Sequence, residues 1–243
     1  MQHTMVSWLG LSDYQTTWQG MRHFTEHRGP QTPDQLWVLE HPPVFTQGQA
    51  GRPVHLLSPG AIPVVHVDRG GQVTYHGPGQ LVVYLLLDLR RRRLAVRTLV
   101  EMIEQAVIDL LASTGVHGRR KASAPGVYVD GKKLSALGLR VRRGCCYHGL
   151  SLNVDMDLAP FQRINPCGYP GLEVTQLVDL GLAWGLEKTA ERLLDRLGAS
   201  LGPLTGAAQH DLTANVQTVA DGGVERQQLA AMPDAVGLGT ALR

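Results

Sequence analysis

The stretch Arg69-Gly70-Gly71-Gln72-Val73-Thr74-Tyr75-His76-Gly77-Pro78-Gly79-Gln80 constrains this chain most, because it sets four glycines and a proline between two apolar segments. Pro63-Val64-Val65-His66-Val67 precedes it, and a nearly continuous Val/Leu run from Leu81 to Leu89 follows. A turn between strands needs about two to five special residues, not twelve. Glycine lets backbone approach a ligand closely or adopt positive φ, so the stretch reads as a ligand-cradling loop. Arg69, Thr74, Tyr75 and His76 give that loop its polar groups. It matches neither G-x-x-x-x-G-K-S/T nor G-x-G-x-x-G, so it is no mononucleotide P-loop and no dinucleotide fingerprint.

Around the loop the pattern alternates between strands and helices without strict order. Leu81 to Leu89 reads as a strand buried on both faces. Leu36–Leu39 and Val44–Thr46 are shorter strand pieces separated by His41-Pro42-Pro43. Ser12-Asp13-Tyr14-Gln15 has the S-x-x-Q form of a capping box and opens a helix carrying Tyr14, Trp18, Met21 and Thr25 on one face. A second helix carries Leu99, Ile103, Val107, Leu110 and Leu111 and stops at Gly115. Gly126–Val129, a turn at Asp130-Gly131, and Lys133–Val141 form a hairpin, followed by a strand over His148–Val154 and an amphipathic helix over Leu186–Leu197. These predict an α+β domain with a mixed β-sheet and flanking helices. Residues 1–205 are expected to form it, with 206–243, rich in Gly, Ala, Gln and Asp and free of aromatics, as a mobile tail.

Three cysteines, two of them adjacent (Cys145, Cys146), do not suit a disulfide framework and favour a reducing compartment. The start, MQHTMVSWLGLSDYQ, lacks a basic segment followed by an apolar one, and no apolar run nears the roughly 18–20 residues of a membrane span. The expected location is cytoplasmic. Charge is uneven: Arg90 to Arg143 holds thirteen Lys/Arg against four Asp/Glu, including the run Arg90-Arg91-Arg92-Arg93. Nucleic-acid binding would need aromatic platforms among these, and Tyr128 is the only aromatic there, so a solvated face or an acidic protein partner is expected.

Cys167 lies between Pro166 and Gly168 in Ile164-Asn165-Pro166-Cys167-Gly168, where a core side chain is not expected. A thiol on a rigid loop becomes a nucleophile when a nearby cation favours the thiolate. Lys132, Lys133, His76 and His148 are the candidate cations. Cys145 and Cys146 sit among strand-like neighbours and read as structural. No C-x-x-C spacing supports a zinc site at these cysteines. The residues alone thus lead to cysteine acyl transfer or hydrolysis beside a Gly-rich ligand loop.

Taken in order, Arg69–Gln80, Gly126-Val-Tyr-Val129, Lys133-Leu-Ser-Ala-Leu-Gly138, His148-Gly-Leu-Ser-Leu-Asn153 and Ile164-Asn-Pro-Cys-Gly168, with His41-Pro-Pro-Val-Phe-Thr-Gln-Gly48 upstream, closely resemble the bacterial lipoyl(octanoyl) transferases. The resemblance spans about residues 10–200 and implies the biotin/lipoyl protein ligase-like fold. It implies transfer of octanoyl (or lipoyl) from acyl carrier protein to a specific lysine of lipoyl domains. The acceptors would be the acyltransferase subunits of 2-oxoacid dehydrogenases and the glycine cleavage H protein. Cys167 would carry the acyl-thioester, paired with Lys133. The acyl chain would lie along Arg69, Gly70, Gly71, Gln72, Val73, Thr74, Tyr75 and His76, along Ala136, Leu137 and Gly138, and along Gly149, Leu150 and Ser151. Phosphopantetheine would arrive on the substrate; no ATP, metal, nucleic acid or membrane would be needed. An ATP-dependent ligase, or a shuttle moving acyl groups between lipoyl domains, is the competing reading within the same fold.

Overall fold

The computed structural model describes residues 3–206; the tail expected over 206–243 lies, apart from Gly206, outside the described residues. Its centre is β6 (Gln80–Asp88), whose unbroken apolar sequence is explained by cover on both sides. Leu81, Val83, Leu85 and Leu87 meet Leu99, Ile103, Val107 and Leu110 of α2 (Val96–Ala112) and Leu193 and Leu197 of α3 (Leu186–Leu201). Val82, Tyr84 and Leu86 face the other way, onto Met21 and Trp18 of α1 (Tyr14–His27) and onto Trp37. Strand periodicity of two sends alternate residues to opposite layers, so neither set can be polar.

Within the described residues the large sheet runs β11-β1-β2-β6-β10-β9-β8-β7. Its outer strands are β11 (Leu204–Gly206), β1 (Thr4–Leu11) and β2 (Asp34–Glu40), paired in parallel. Antiparallel pairs then link β2, β6, β10 (Cys145–Asn153), β9 (Lys132–Arg142), β8 (Gly126–Val129) and β7 (Arg119–Arg120). The sheet is therefore mixed, as expected. A small sheet of β3 (Val44–Gln47), β4 (Val64–His66) and β5 (Val73–His76) packs beside it.

Three expectations are corrected by the structure, and one strand is added. The Gly-rich stretch is not one long loop: Val73–His76 is a strand paired with β3, so the glycines form turns on either side of it. The cap of α1 is Asp13 rather than Ser12; the Asp13 carboxylate accepts the Thr16 N–H at 2.8 Å, while the Ser12 hydroxyl donates to Leu9. That Thr16 bond holds the Asp13 carboxyl below its ordinary value. Strand β1 has no clear alternation in its sequence and forms through its two parallel partners. Finally, the run Arg90–Arg93 is not one free basic face. Arg91 and Arg92, with Arg28, converge on Asp34 at 2.7, 2.5 and 2.5 Å, and the Asp34 side chain is fully buried.

Cys145 and Cys146 open β10 and are buried, and burial pushes the Cys146 thiol up to about 12. Among the described residues no helix is long and apolar enough to cross a membrane, and no group of three His, Cys, Asp or Glu is placed to hold a metal.

Candidate active site

Lys133 is the second residue of β9, and its backbone is fixed on both sides: its N–H donates to Glu173 at 2.9 Å and its carbonyl accepts from Thr175 at 3.0 Å. Alternation along the strand then separates the two neighbouring lysines. Lys132 points outward to the Glu173 carboxylate at 3.5 Å, while Lys133 turns inward and is 4 % exposed. Gly126 leaves the space for it, because a Cβ there would lie 2.8 Å from Lys133 Cε and 2.3 Å from the Ser135 carbonyl.

Cys167 sits on a single 3₁₀ turn, Pro166–Gly168, packed against β5. Its φ is 56°, a left-handed value that is costly for a residue with a Cβ. The turn is closed by Gly168 N–H donating to Asn165 at 2.9 Å, and Asn165 N–H donates to His55 at 2.8 Å. This places Cys167 Sγ 2.9 Å from Lys133 Nζ, which also donates to the Pro125 carbonyl at 2.9 Å. The Tyr128 ring centre lies 5.2 Å from the same nitrogen. Burial alone would lower the Lys133 pKa, but the charge of Cys167 and its hydrogen bond more than offset this and hold the ammonium form above its ordinary value. Of the four candidate cations, the fold brings Lys133 to the thiol.

The dyad stands in the wall of a cavity of about 440 Å³. Of the fourteen residues expected along the acyl chain, thirteen line it. Tyr75 does not: in β5 it faces away, packing on Phe45 and Phe161. Val96 and Val100 at the start of α2, Tyr14 and Tyr84, and Ser123–Pro125 and Tyr169 also line the cavity and lie outside the motifs named above. Tyr84, the lone aromatic in an aliphatic strand, is the one with a usable signal.

Polar groups at the cavity floor are buried and tied to one another. The Arg69 guanidinium donates to the Thr46 carbonyl at 2.6 Å and to its hydroxyl at 2.8 Å. His76 Nδ1 bonds Gln80 Oε1 at 2.7 Å, and His41 Nε2 bonds the Tyr84 hydroxyl at 2.7 Å. Burial pushes His41 down to about 4 and His76 well below its ordinary value, so both imidazoles are neutral near pH 7. Asp68 accepts from Trp18 Nε1 at 2.8 Å, from the Tyr147 hydroxyl, and from His148 Nε2 at 3.0 Å. Burial opposes ionisation of Asp68, yet these three donors hold its carboxyl well below the usual range.

The Arg69–Gly71 segment is held directly against β9, with Gly70 N–H donating to Leu139 at 3.0 Å. A Cβ on Gly138 would lie 2.8 Å from the Gly70 carbonyl, which is backbone and cannot swing aside. Gly138→Ala is therefore expected to cost about 1–3 kcal/mol by overpacking, read by urea titration. Wild-type stability in that variant would show that the close approach is not needed.

Comparison with known proteins joins these features. The family described as the lipoyl protein ligase A/B catalytic domain matches residues 13–198. An octanoyltransferase of Alkalilimnicola ehrlichii (strain ATCC BAA-1101 / DSM 17681 / MLHE-1) is 63% identical over 183 residues, covering 75% of this chain and 85% of its own. One of Azoarcus sp. (strain BH72) is 62% identical over 200 residues, covering 82% and 88%. Among solved structures, lipoate-protein ligase A bound with ATP shares the fold at a TM-score of 0.70 and 11% identity, covering 90% of this chain and 94% of its own. With the family matched across the whole catalytic unit and such identity to its octanoyltransferases, this chain belongs to the lipoyl protein ligase A/B catalytic-domain family, on its octanoyltransferase branch.

Proposed function

We propose that this octanoyltransferase takes octanoyl from the phosphopantetheine thioester of acyl carrier protein onto Cys167 and passes it to a specific lysine of a lipoyl domain. The acceptors would be the acyltransferase subunits of 2-oxoacid dehydrogenases and the glycine cleavage H protein. The observation that carries the reading is the 2.9 Å Lys133–Cys167 contact in the wall of a largely apolar cavity.

The chemistry follows from the charge on the pair. The Cys167 thiolate attacks the carrier thioester, a C–S bond forms to Sγ, and the pantetheine sulfur leaves. Lys133, an acid while a thiolate sits beside it, protonates that leaving sulfur. Once Cys167 is acylated its negative charge is gone, and burial becomes the dominant influence on Lys133. Lys133 is then a neutral amine able to take a proton from the incoming lysine ammonium. The acceptor amine attacks the thioester, its nitrogen gives a second proton to solvent as the amide forms, Cys167 leaves as thiolate, and the thiolate–ammonium pair is restored. A thioester is consumed and a more stable amide made, so the cycle balances without ATP. Gly70 and Gly79 are not the oxyanion donors, because their N–H groups already bond Leu139 and Glu40.

Intact mass after mixing the protein with octanoyl-acyl carrier protein, without ATP, tests this. One octanoyl adduct removed by hydroxylamine is expected; an adduct requiring ATP would favour a ligase instead. Lys133 separates the two half-reactions. Arginine keeps the charge but does not give up its proton near neutral pH, so Lys133→Arg is expected to load Cys167 more slowly, the pantetheine sulfur leaving without its proton, and to lose acceptor transfer by about 10²–10⁴-fold, with Lys133→Ala failing in both. Full transfer by the arginine variant would remove the proton-transfer role.

A further inference from the structure

Along the basic segment, Arg97, Arg120, Lys132 and Arg142 each pair with a carboxylate. Lys121 is exposed and, among the described residues, pairs with none. Its ammonium is nevertheless held in place. Lys121 Nζ lies 5.8 Å from the centre of the Tyr128 ring and 5.6 Å from that of Tyr169. The same two tyrosines fasten the turn that Lys121 opens. The Tyr128 hydroxyl donates to the Ala124 carbonyl at 3.0 Å, and the Tyr169 hydroxyl to the Ser123 carbonyl at 3.1 Å. Ala124 N–H closes the turn on the Lys121 carbonyl at 3.2 Å. Two donors are left over there: the N–H groups of Ala122 and Ser123 bond no described residue, and both residues are exposed.

Tyr128 also limits how far this ammonium stands from the reacting sulfur. Its ring centre lies 5.2 Å from Lys133 Nζ, which is 2.9 Å from Cys167 Sγ. With the 5.8 Å to Lys121, these contacts put the ammonium no more than about 14 Å from the thiol. The cavity rim lies beside both: Ser123, Pro125 and Tyr169 line the cavity, and Tyr169 is 38 % exposed. A thioester donor carried on pantetheine holds its phosphate roughly 15 Å from its sulfur when extended, at about 1.2 Å per chain bond. An arm that reaches Cys167 over this rim therefore brings its phosphate to Lys121. A phosphodiester is a permanent anion whose oxygens accept N–H donors, and an ammonium beside two unused backbone N–H groups supplies them.

We propose that the turn from Lys121 to Ser123 binds the phosphate of the donor's pantetheine arm, so that the arm is recognised as well as the acyl chain. This rests on the Cys167 thioester reading above. The acceptor lysine brings no phosphate, so the site serves the loading of Cys167 and not the transfer to the lipoyl domain. Its exposed setting keeps the attraction modest and sensitive to salt.

The test compares octanoyl-phosphopantetheine with octanoyl-pantetheine, small donors that share one thioester and differ in the phosphate alone. Initial rates of Cys167 loading are followed by intact mass at subsaturating donor and low salt. The wild-type protein is expected to load from the phosphorylated donor about fivefold faster, the ratio falling toward one as salt is raised. In Lys121→Gln the ratio is expected to drop below about twofold, and in Lys121→Arg, which keeps a charged donor, to stay near the wild-type value. A wild-type ratio of one overturns the proposal whatever the variants do. An unchanged ratio in Lys121→Gln overturns it as well: the phosphate is then bound elsewhere, and any equal slowing of both donors marks a lysine that only steadies its two tyrosines. Loading from octanoyl-acyl carrier protein run alongside keeps the two readings apart. No adduct from any donor removes the thioester mechanism and this inference together, whereas normal carrier loading with equal rates from the two small donors removes only the inference.

Discussion

Cys167→Ser is expected to give no octanoyl adduct with acyl carrier protein and to lower transfer to a lipoyl domain by on the order of a thousandfold or more. The change removes little besides the sulfur, since serine is close in shape and the turn Pro166–Gly168 is closed by backbone bonds that do not involve the side chain. What it removes is the ability to hold a negative charge beside Lys133. A thiolate attacks and departs from an acyl carbon far more readily than an alkoxide, and Lys133 Nζ lies 2.9 Å from the sulfur. Circular dichroism melts should match the wild type within a few degrees. An adduct mapping elsewhere than position 167, or transfer above about a tenth of wild type, would mean that another group carries the acyl chain.

Asp34→Ala is expected to destabilise the fold by about 3–5 kcal/mol, a large part of the roughly 5–15 kcal/mol available to a typical domain. Asp34 has no exposed side-chain surface and faces three guanidinium groups, with the side chains of Arg28 at 3 %, Arg92 at 11 % and Arg91 at 21 % exposure. Its carboxylate also accepts the Asp88 N–H at 2.9 Å, tying β2 to the end of β6. Arg92 extends the link, donating to the Leu201 carbonyl at 2.8 Å and to the Thr4 hydroxyl at 2.5 Å, so one carboxylate joins α3, β1, β2 and β6. Without it, buried positive charges are left facing one another. Burial opposes the charge on Asp34, but the Asp88 N–H and the arginines prevail, and its folded pKa lies below the unfolded value. This stabilisation is therefore fully present above the unfolded pKa and is lost as pH falls through the folded one. Urea titrations of the wild type and Asp34→Ala at pH 7 and at acid pH should converge as pH falls. A constant difference across that range would place the loss in packing rather than charge.

The same cluster shows where sequence reasoning stops. Four consecutive arginines look like a charged surface, because their inward partner is far away in the chain: Asp34 precedes Arg91 by 57 residues. Strand β1 was invisible for a related reason, since its stability lies in parallel neighbours at Asp34–Glu40 and Leu204–Gly206 rather than in its own pattern. By contrast β6, α2 and the β8–β9 hairpin were readable, as their periodicity and turn residues are local. The cap of α1 fell one residue off, at Asp13, because two adjacent side chains were both capable of capping and only the backbone decides which one is positioned.

For the site, the sequence by itself determined the parts list: a thiol on a Pro–Cys–Gly turn, four possible cations, and three glycine-bearing segments that line the cavity. These follow from local chemistry, since glycine tolerance, a Cys in a loop and the order of motifs are properties of short stretches. Only the tertiary structure decided which cation serves Cys167, because Lys132 and Lys133 differ by one residue and strand alternation sends them to opposite sides. It also decided that Tyr75 faces away from the cavity and that Val96, Val100 and Tyr169 line it. Each of those depends on the direction in which a side chain points and on what distant chain it meets, and no local stretch of sequence encodes that.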